Sequence, residues 1–272
     1  MSLTEQQIER YSRHIILDKV GGKGQEKLLS SKVLVIGAGG LGSPAILYLA
    51  AAGVGTLGIA DGDKVDLSNL QRQIIHHTED INVSKVESAV NKVREINPDV
   101  DVRIYRTHVR AENVREIIRD YDFIIDGTDN FAAKFLINDA CFFEGKPFSH
   151  GGILGFDGQL MTVLPGETAC YRCVFGYPPS PGSVLSCSQA GVLGVLAGVV
   201  GSLQATEAVK YILDEGDLLT NKLLTYNSLK MNFRKIDIKK NPECPLCAEN
   251  PEIKQLKDQP QPVCNSERKI TR

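Results

Sequence analysis

Val33-Leu34-Val35-Ile36-Gly37-Ala38-Gly39-Gly40-Leu41-Gly42 decides the fold. Four apolar residues stopped by glycine read as a short strand buried on both faces, as in a parallel sheet. Gly37, Gly39 and Gly42 fit the pattern Gly-x-Gly-x-x-Gly, Gly40 lies inside it, and an apolar helix is predicted over 41–52. Glycines between a strand and a helix allow a tight turn. They also let backbone N–H groups approach a phosphate at the positive end of the helix. Asp61 ends a second strand, Thr56 to Ala60, about 20 residues further on, where a carboxylate can accept hydrogen bonds from ribose hydroxyls. The competing reading of these glycines is a turn that serves helix–sheet packing alone.

Outward from this unit the chain alternates. A helix opens at Ser84, with Glu87 at capping-box spacing, and Pro98 limits it. Strands are predicted over 100–105, 123–125 and 147–150, with helices over 113–119 and 131–144 between them. Five strands alternating with helices give an α/β, Rossmann-like doubly wound and mostly parallel sheet. From Gln159 to Leu164 the pattern becomes antiparallel. A long helix over 189–213 and a hairpin from 222–226 and 231–238 extend the sheet with antiparallel C-terminal strands. On the N-terminal side, residues 4–17 read as one amphipathic helix capped by Thr4 and Gln7, after which Gly21, Gly22 and Gly24 break the chain. The expected organisation is a single domain over 1–250, with an N-terminal helical segment 1–30. Residues 251–272, polar and containing Pro260 and Pro262, are expected to form a mobile tail.

Composition excludes several classes. With 272 residues, a core needs no disulfide frame. The 31 Lys+Arg against 33 Asp+Glu leave a net charge of −2, which argues against a basic nucleic-acid surface or a membrane anchor. The start, Met1-Ser2-Leu3-Thr4-Glu5, lacks the basic and apolar regions of a secretory signal, so a cytoplasmic location is expected. In that setting seven cysteines point to metal or catalysis rather than disulfides.

The glycine loop does not choose between NAD and ATP. The following segment, Asp66-Leu67-Ser68-Asn69-Leu70-Gln71-Arg72-Gln73, and Lys85 beyond it, favour ATP. Attack at an α-phosphate needs cations to neutralise the transition state and the pyrophosphate leaving group, and Arg72 and Lys85 supply two. Taken singly, each also suits a solvated surface position. Asp129, in Asp126-Gly127-Thr128-Asp129-Asn130, follows the fourth strand at the ligand-facing end of the sheet and can hold Mg2+ beside phosphate. Asp126 can simply cap the next helix. Cys170-Tyr171-Arg172-Cys173 and Cys244-Pro245-Leu246-Cys247 are two Cys-x-x-Cys pairs, enough for a closed, structural zinc site of four cysteines, with redox pairs as the alternative.

These residues, with Arg10-Tyr11-Ser12-Arg13-His14, resemble the MoeB/ThiF family, bacterial relatives of ubiquitin-activating enzymes. The likeness covers roughly residues 5–250. It implies ATP-dependent adenylation of the C-terminal glycine of a small ubiquitin-like sulfur-carrier protein ending in Gly-Gly, preparing a thiocarboxylate for molybdopterin or thiamin biosynthesis. By this resemblance Asp61 holds the ribose, Asn69, Arg72, Gln73 and Lys85 hold the phosphates, Asp129 holds the magnesium, and Asn130 belongs to the ATP-binding set. Arg13 reaches the γ-phosphate from the partner subunit of a homodimer; by itself it reads as a polar helix position. The family also carries the zinc site at these cysteines. A cysteine near Cys187, in Ser186-Cys187-Ser188-Gln189, bonds to the carrier in some members; an accessory thiol is the competing reading. A separate sulfur-donor protein is expected.

The rival functions are an NAD-dependent oxidoreductase on the same fold and adenylation of a tRNA-linked carboxylate. Cys141 reads as core, and Cys264 has no assignable role. The five histidines, His14, His76, His77, His108 and His150, show no metal spacing and read as structural or surface residues. Gly191, Gly194, Gly198 and Gly201 cost helix stability, about 1 kcal/mol each relative to alanine, so another backbone should pack close, from the sheet or a second subunit.

Overall fold

The structure, a computed structural model, describes residues 3–180 and 190–259. Cys187, the first residue of the predicted long helix and Cys264 lie outside them. The eight strands are β1 (Lys32–Ile36), β2 (Thr56–Ala60), β3 (Asp101–Tyr105), β4 (Phe123–Asp126), β5 (Phe148–Leu154), β6 (Asp157–Val163), β7 (Lys222–Asn227) and β8 (Asn232–Asp237). They form one sheet in the order β3-β2-β1-β4-β5-β6-β7-β8. β1 to β5 are parallel, and β6, β7 and β8 join antiparallel. The expected α/β class is therefore correct. Strand order reverses at β1, which lies between β2 and β4, and such a switch point opens a crevice at the carboxyl ends of the strands.

Strand alternation explains the two cores. Val33 and Val35 of β1 face one side, with Leu57, Ile59, Phe123 and Ile125; Leu34 and Ile36 face the other, with Ile124 and Phe148. The first side is covered by α3 (Gly21–Ser30), α4 (Gly42–Ala52), α5 (Lys85–Ile96) and α9 (Gly194–Leu213). The second is covered by α6 (Val114–Ile118), α7 (Phe131–Phe143) and α8 (Tyr171–Phe175). Among the described residues no helix is long and apolar enough to cross a membrane.

Four expectations change. The helix predicted over 4–17 is two pieces, α1 (Glu5–Arg10) and α2 (Ser12–Ile15), although the Thr4–Gln7 capping box forms. Tyr11 separates them: its buried hydroxyl accepts a hydrogen bond from Asn97 Nδ2 at 2.8 Å, so tertiary contact outweighs the helical repeat, while Ile8 and Ile16 are exposed. Gly21, Gly22 and Gly24 do not break the chain but lie in α3, where Gly24 is buried close to Leu213. Ser84 sits at the N-cap of α5, but its side chain makes no capping bond. Residues 251–259 of the predicted tail are packed: Ile253 and Leu256 join the second core, and Ala111 N–H donates to Asp258.

The long helix begins at Gly194, and its close neighbour is in the same chain. A Cβ on Gly201 would lie 2.2 Å from the carbonyl oxygen of Leu41, and one on Gly194 would lie 2.3 Å from that of Gln71. Neither the sheet nor a second subunit is needed to explain these two glycines. By contrast, a Cβ on Gly198 meets nothing within 4 Å. Gly201→Ala is therefore expected to destabilise the protein by roughly 1–3 kcal/mol through overpacking. Gly198→Ala should stabilise it by up to about 1 kcal/mol. Urea unfolding of both variants checks this pair.

Candidate functional site

A cleft of about 1330 Å³ lies at the switch point, over the ends of β1, β2 and β4. Its floor is made by two backbone turns in contact. Gly37 has φ +96°, and a Cβ there would lie 2.8 Å from the Gly127 carbonyl oxygen. A Cβ on Gly42 would lie 1.8 Å from Gly37 O, so only glycine lets the start of α4 reach the end of β1. No side chain caps α4. Its first-turn N–H groups are the ready-made donors of a helix start.

The turn is fixed by its neighbours. Ala38 N–H donates to Asp61 Oδ2 at 2.9 Å. Ala38 O accepts from His76 Nε2 at 2.9 Å, and His76 Nδ1 pairs with Ser88 Oγ at 2.8 Å. A carbonyl only accepts, so His76 carries its proton on Nε2. Burial pushes its pKa down, partly offset by the Ala38 bond, and the nearby Lys85 adds to the fall. His76 thus belongs to the frame of the glycine turn, a role that its place in the sequence does not signal.

Gly37, Gly39, Gly40, Asp61, Arg72, Gln73, Lys85, Asp129 and Asn130 all line the cleft. Gly42 lies beneath it as a packing residue. Asn69 does not line it; its Oδ1 accepts from Asp66 N–H in a local capping box. Arg72 is anchored by Nη1 donating to Ser68 O at 3.0 Å. Lys85 is buried, and its Nζ lies 3.0 Å from Asp63 Oδ2. Asn130 caps α7 through Oδ1, which accepts from Ala133 N–H. Asp129 is exposed in the cleft. Arg13 is exposed on α2 and does not line this cleft.

Asp126 is not a helix cap, since Asn130 fills that position. It is a buried anion at the end of β4, where Lys134 Nζ lies 3.1 Å and His150 Nδ1 3.0 Å from Oδ2, while the Thr128 hydroxyl donates to Oδ1. Burial alone would raise its pKa. The Lys134 charge and the His150 and Thr128 hydrogen bonds overcome that and hold it at about 2. The His150 pKa is lowered as well, to about 4, by burial first and then by Lys134, which for an imidazole favours the neutral form. Asp126 and Lys134 are therefore the charged pair, and His150 is a neutral donor. Lys134 also lines the cleft and donates to Gly151 O, tying α7 to β5.

Cys170, Cys173, Cys244 and Cys247 converge beside the middle of α7, where Asn138 and Asp139 face the segment 171–172. Their sulfurs stand 3.4 to 3.8 Å apart in the recorded pairs, and none is in a disulfide. A tetrahedral zinc with Zn–S bonds of about 2.3 Å requires sulfur separations of roughly 3.8 Å, so the four thiolates fit that ion. Between the first two, Arg172 is fully buried. Its Nε and Nη2 donate to the two oxygens of Asp139 in α7, and Tyr171 N–H donates to Asn138 Oδ1. The knuckle is thus bolted to the helix whose first turn borders the cleft. Cys141 is buried core, as expected.

A family model described as the ThiF family matches residues 11–246. The chain is similar to the SAMP-activating enzyme E1 of Haloferax volcanii, with 51% identity over 249 residues, 92% of this chain and 92% of that protein. It is also similar to a sulfur carrier protein adenylyltransferase of Thermus thermophilus, with 45% identity over 263 residues, 95% and 97% of the two chains. Among solved structures, E. coli MccB with ATP shares the fold, with TM-score 0.75, 19% identity, and coverage of 90% of this chain and 82% of that one.

A stability experiment isolates the buried network. His150 titrates near 6.5 when free but about 4 when folded, so the unfolded chain binds its proton first. Stability must then fall as pH drops from about 6.5 to about 4, by on the order of 3 kcal/mol from this group. Asp126, with a lowered folded pKa, adds its loss only below about pH 4. His150→Asn keeps a donor near the Nδ1 position without the titration. Urea unfolding between pH 7 and pH 4.5 should show a shallower loss in that variant than in the wild type.

Proposed function

The chain belongs to the ThiF family, and we propose that it adenylates the C-terminal glycine of a small ubiquitin-like sulfur-carrier protein with ATP. The observation that carries the reading is convergence: the Gly37–Gly42 turn, Arg72, Lys85 and Asp129 meet in one cleft at the switch point. Its relatives bear names of the same activity, sulfur carrier protein adenylyltransferase and SAMP-activating enzyme. The cleft continues along the β5–β6 hairpin past Gly152 and Gly158, and in this reading the carrier's extended tail lies along that stretch.

In this reading Asp61 takes the ribose hydroxyls, and the first turn of α4 with Gln73 takes phosphate oxygens, while Asn69, held in its capping box outside the cleft, shapes the turn that carries Arg72 and Gln73. Arg72 and Lys85 neutralise charge at the α-phosphate and on the departing pyrophosphate. Magnesium, held by Asp129, would supply further neutralisation of the phosphates. The carrier's carboxylate attacks the α-phosphate, the bond to the bridging oxygen breaks, and pyrophosphate leaves with an acyl-adenylate formed. A carboxylate is already a competent nucleophile, so the cleft supplies orientation and charge rather than a base. A homodimer is part of the proposal, because Arg13 lies away from this cleft and would act on the partner's nucleotide. The four cysteines hold zinc as a closed structural site, which suits a reducing cytoplasm. A separate donor then brings sulfur, which displaces AMP; the carrier serves molybdopterin or thiamin formation.

Carrier-dependent ATP–pyrophosphate exchange tests the reading. Arg72→Ala and Lys85→Ala are expected to lower exchange at least about a hundredfold, the cost of losing a charge aimed at the transition state. Full activity in both variants would refute the phosphate assignment. Metal analysis should find one zinc per chain, and Cys170→Ser should lose it together with several kcal/mol of stability, on the order of 3 or more.

A further inference from the structure

Lys85 is the first residue of α5 and is 6% exposed, yet it faces the cleft. A buried ammonium tends to shed its proton unless an anion stands beside it. That anion is Asp63. Its Oδ2 lies 3.0 Å from Lys85 Nζ, and its backbone carbonyl accepts the Lys85 N–H, also at 3.0 Å. The two residues are joined twice because residues 63–65 run antiparallel to 83–85. Lys64 bridges Ser84, and Val65 N–H donates to Val83 O. Asp63 also donates its N–H to Asp61 Oδ1, so the ribose-side carboxylate and this one share a turn.

We propose that Asp63 is a positioning residue: in the empty cleft it holds the Lys85 side chain in place, and it yields that ammonium to the phosphates of a nucleoside triphosphate on binding. The inference rests on the function proposed above and adds a residue to it. Half of the Asp63 side chain is exposed at the cleft wall, so water can solvate the carboxylate once the lysine turns to phosphate. The other groups around Lys85 do not replace it. His76 is buried below and neutral, because burial pushes its pKa down. Asp80 and Asp61 act on the same buried cluster; Asp80 stands 3.8 Å from Lys92 Nζ, while Asp61 is engaged by two backbone N–H groups. Arg72 and Arg110 are cations in the same cleft, and His108 Nε2 lies 3.5 Å from the other Asp63 oxygen, Oδ1.

The consequence is a difference between free and nucleotide-bound protein. Without Asp63 the resting lysine has no fixed partner, whereas bound phosphate still orders it. Asp63→Asn, which keeps a hydrogen-bond acceptor, is therefore compared with the wild type and with Asp63→Glu in the purified full chain. The affinity for a non-hydrolysable ATP analogue is measured by calorimetry, and exchange kinetics are followed alongside. Asp63→Asn should lose about threefold or more in analogue affinity and in kcat/KM for ATP. Its kcat should stay near the wild-type value, and Asp63→Glu should restore the wild-type affinity. Equal affinities in wild type and Asp63→Asn would overturn the inference. If the wild type binds no triphosphate analogue at all, it is the proposed function that fails.

Discussion

Backbone approach between Gly37 and Gly42 is the constraint on which the rest of the site depends. The first strand must end and the next helix must begin within six residues, with a carbonyl oxygen standing where any side chain at Gly42 would be. That contact turns the start of α4 toward the switch point. It also brings the Gly37 turn against Gly127, so the loops after β1 and β4 form one floor. Asp61 and His76 then hold the two ends of the Ala38 peptide, and the floor is rigid before any ligand arrives.

Around this floor the protein seats two buried lysines beside carboxylates in different ways. Lys134 is committed: Asp126 and the Gly151 carbonyl occupy its ammonium, and both acceptors are buried. It belongs to the scaffold and joins β4, β5 and α7. Lys85 has a partner that is half in solvent, and its ammonium can change partners at little desolvation cost. One ion pair therefore builds the wall, and the other leaves a cation available. The cysteine knuckle packs against the body of α7, where Arg172 and Asp139 form a bidentate buried pair. Breaking such a pair leaves an uncompensated charge inside the protein, and the proposed zinc would keep the two halves of the knuckle together.

The parts legible in the sequence are those whose chemistry is local in the chain. Val33 to Gly42 is contiguous, and each Cys-x-x-Cys pair carries its own geometry, so both can be read directly. The parts not legible depend on partners far away along the chain. Tyr11 divides the first helix because Asn97 donates to its hydroxyl. The glycines at 21, 22 and 24 look like breakers, yet Gly24 is there to pass Leu213. Asp126 reads as a helix cap because nothing near it reveals His150, which the sheet brings to its side from β5. Asp63 escapes a reading of the sequence for the same reason. Aspartate in a polar loop looks ordinary until the antiparallel pairing of 63–65 with 83–85 sets it against a buried lysine.

The claim beneath all of this is that the crevice at the switch point takes a nucleoside triphosphate with its α-phosphate exposed to an incoming carboxylate. Crystals grown with MgATP test it most directly. Density for the triphosphate should run from the Gly37–Gly42 turn toward Arg72 and Lys85, with Asp61 at the ribose and the α-phosphate open to the β5–β6 channel. A dinucleotide preferred in the same crevice, or a triphosphate lying with its α-phosphate turned away from that channel, would contradict the account.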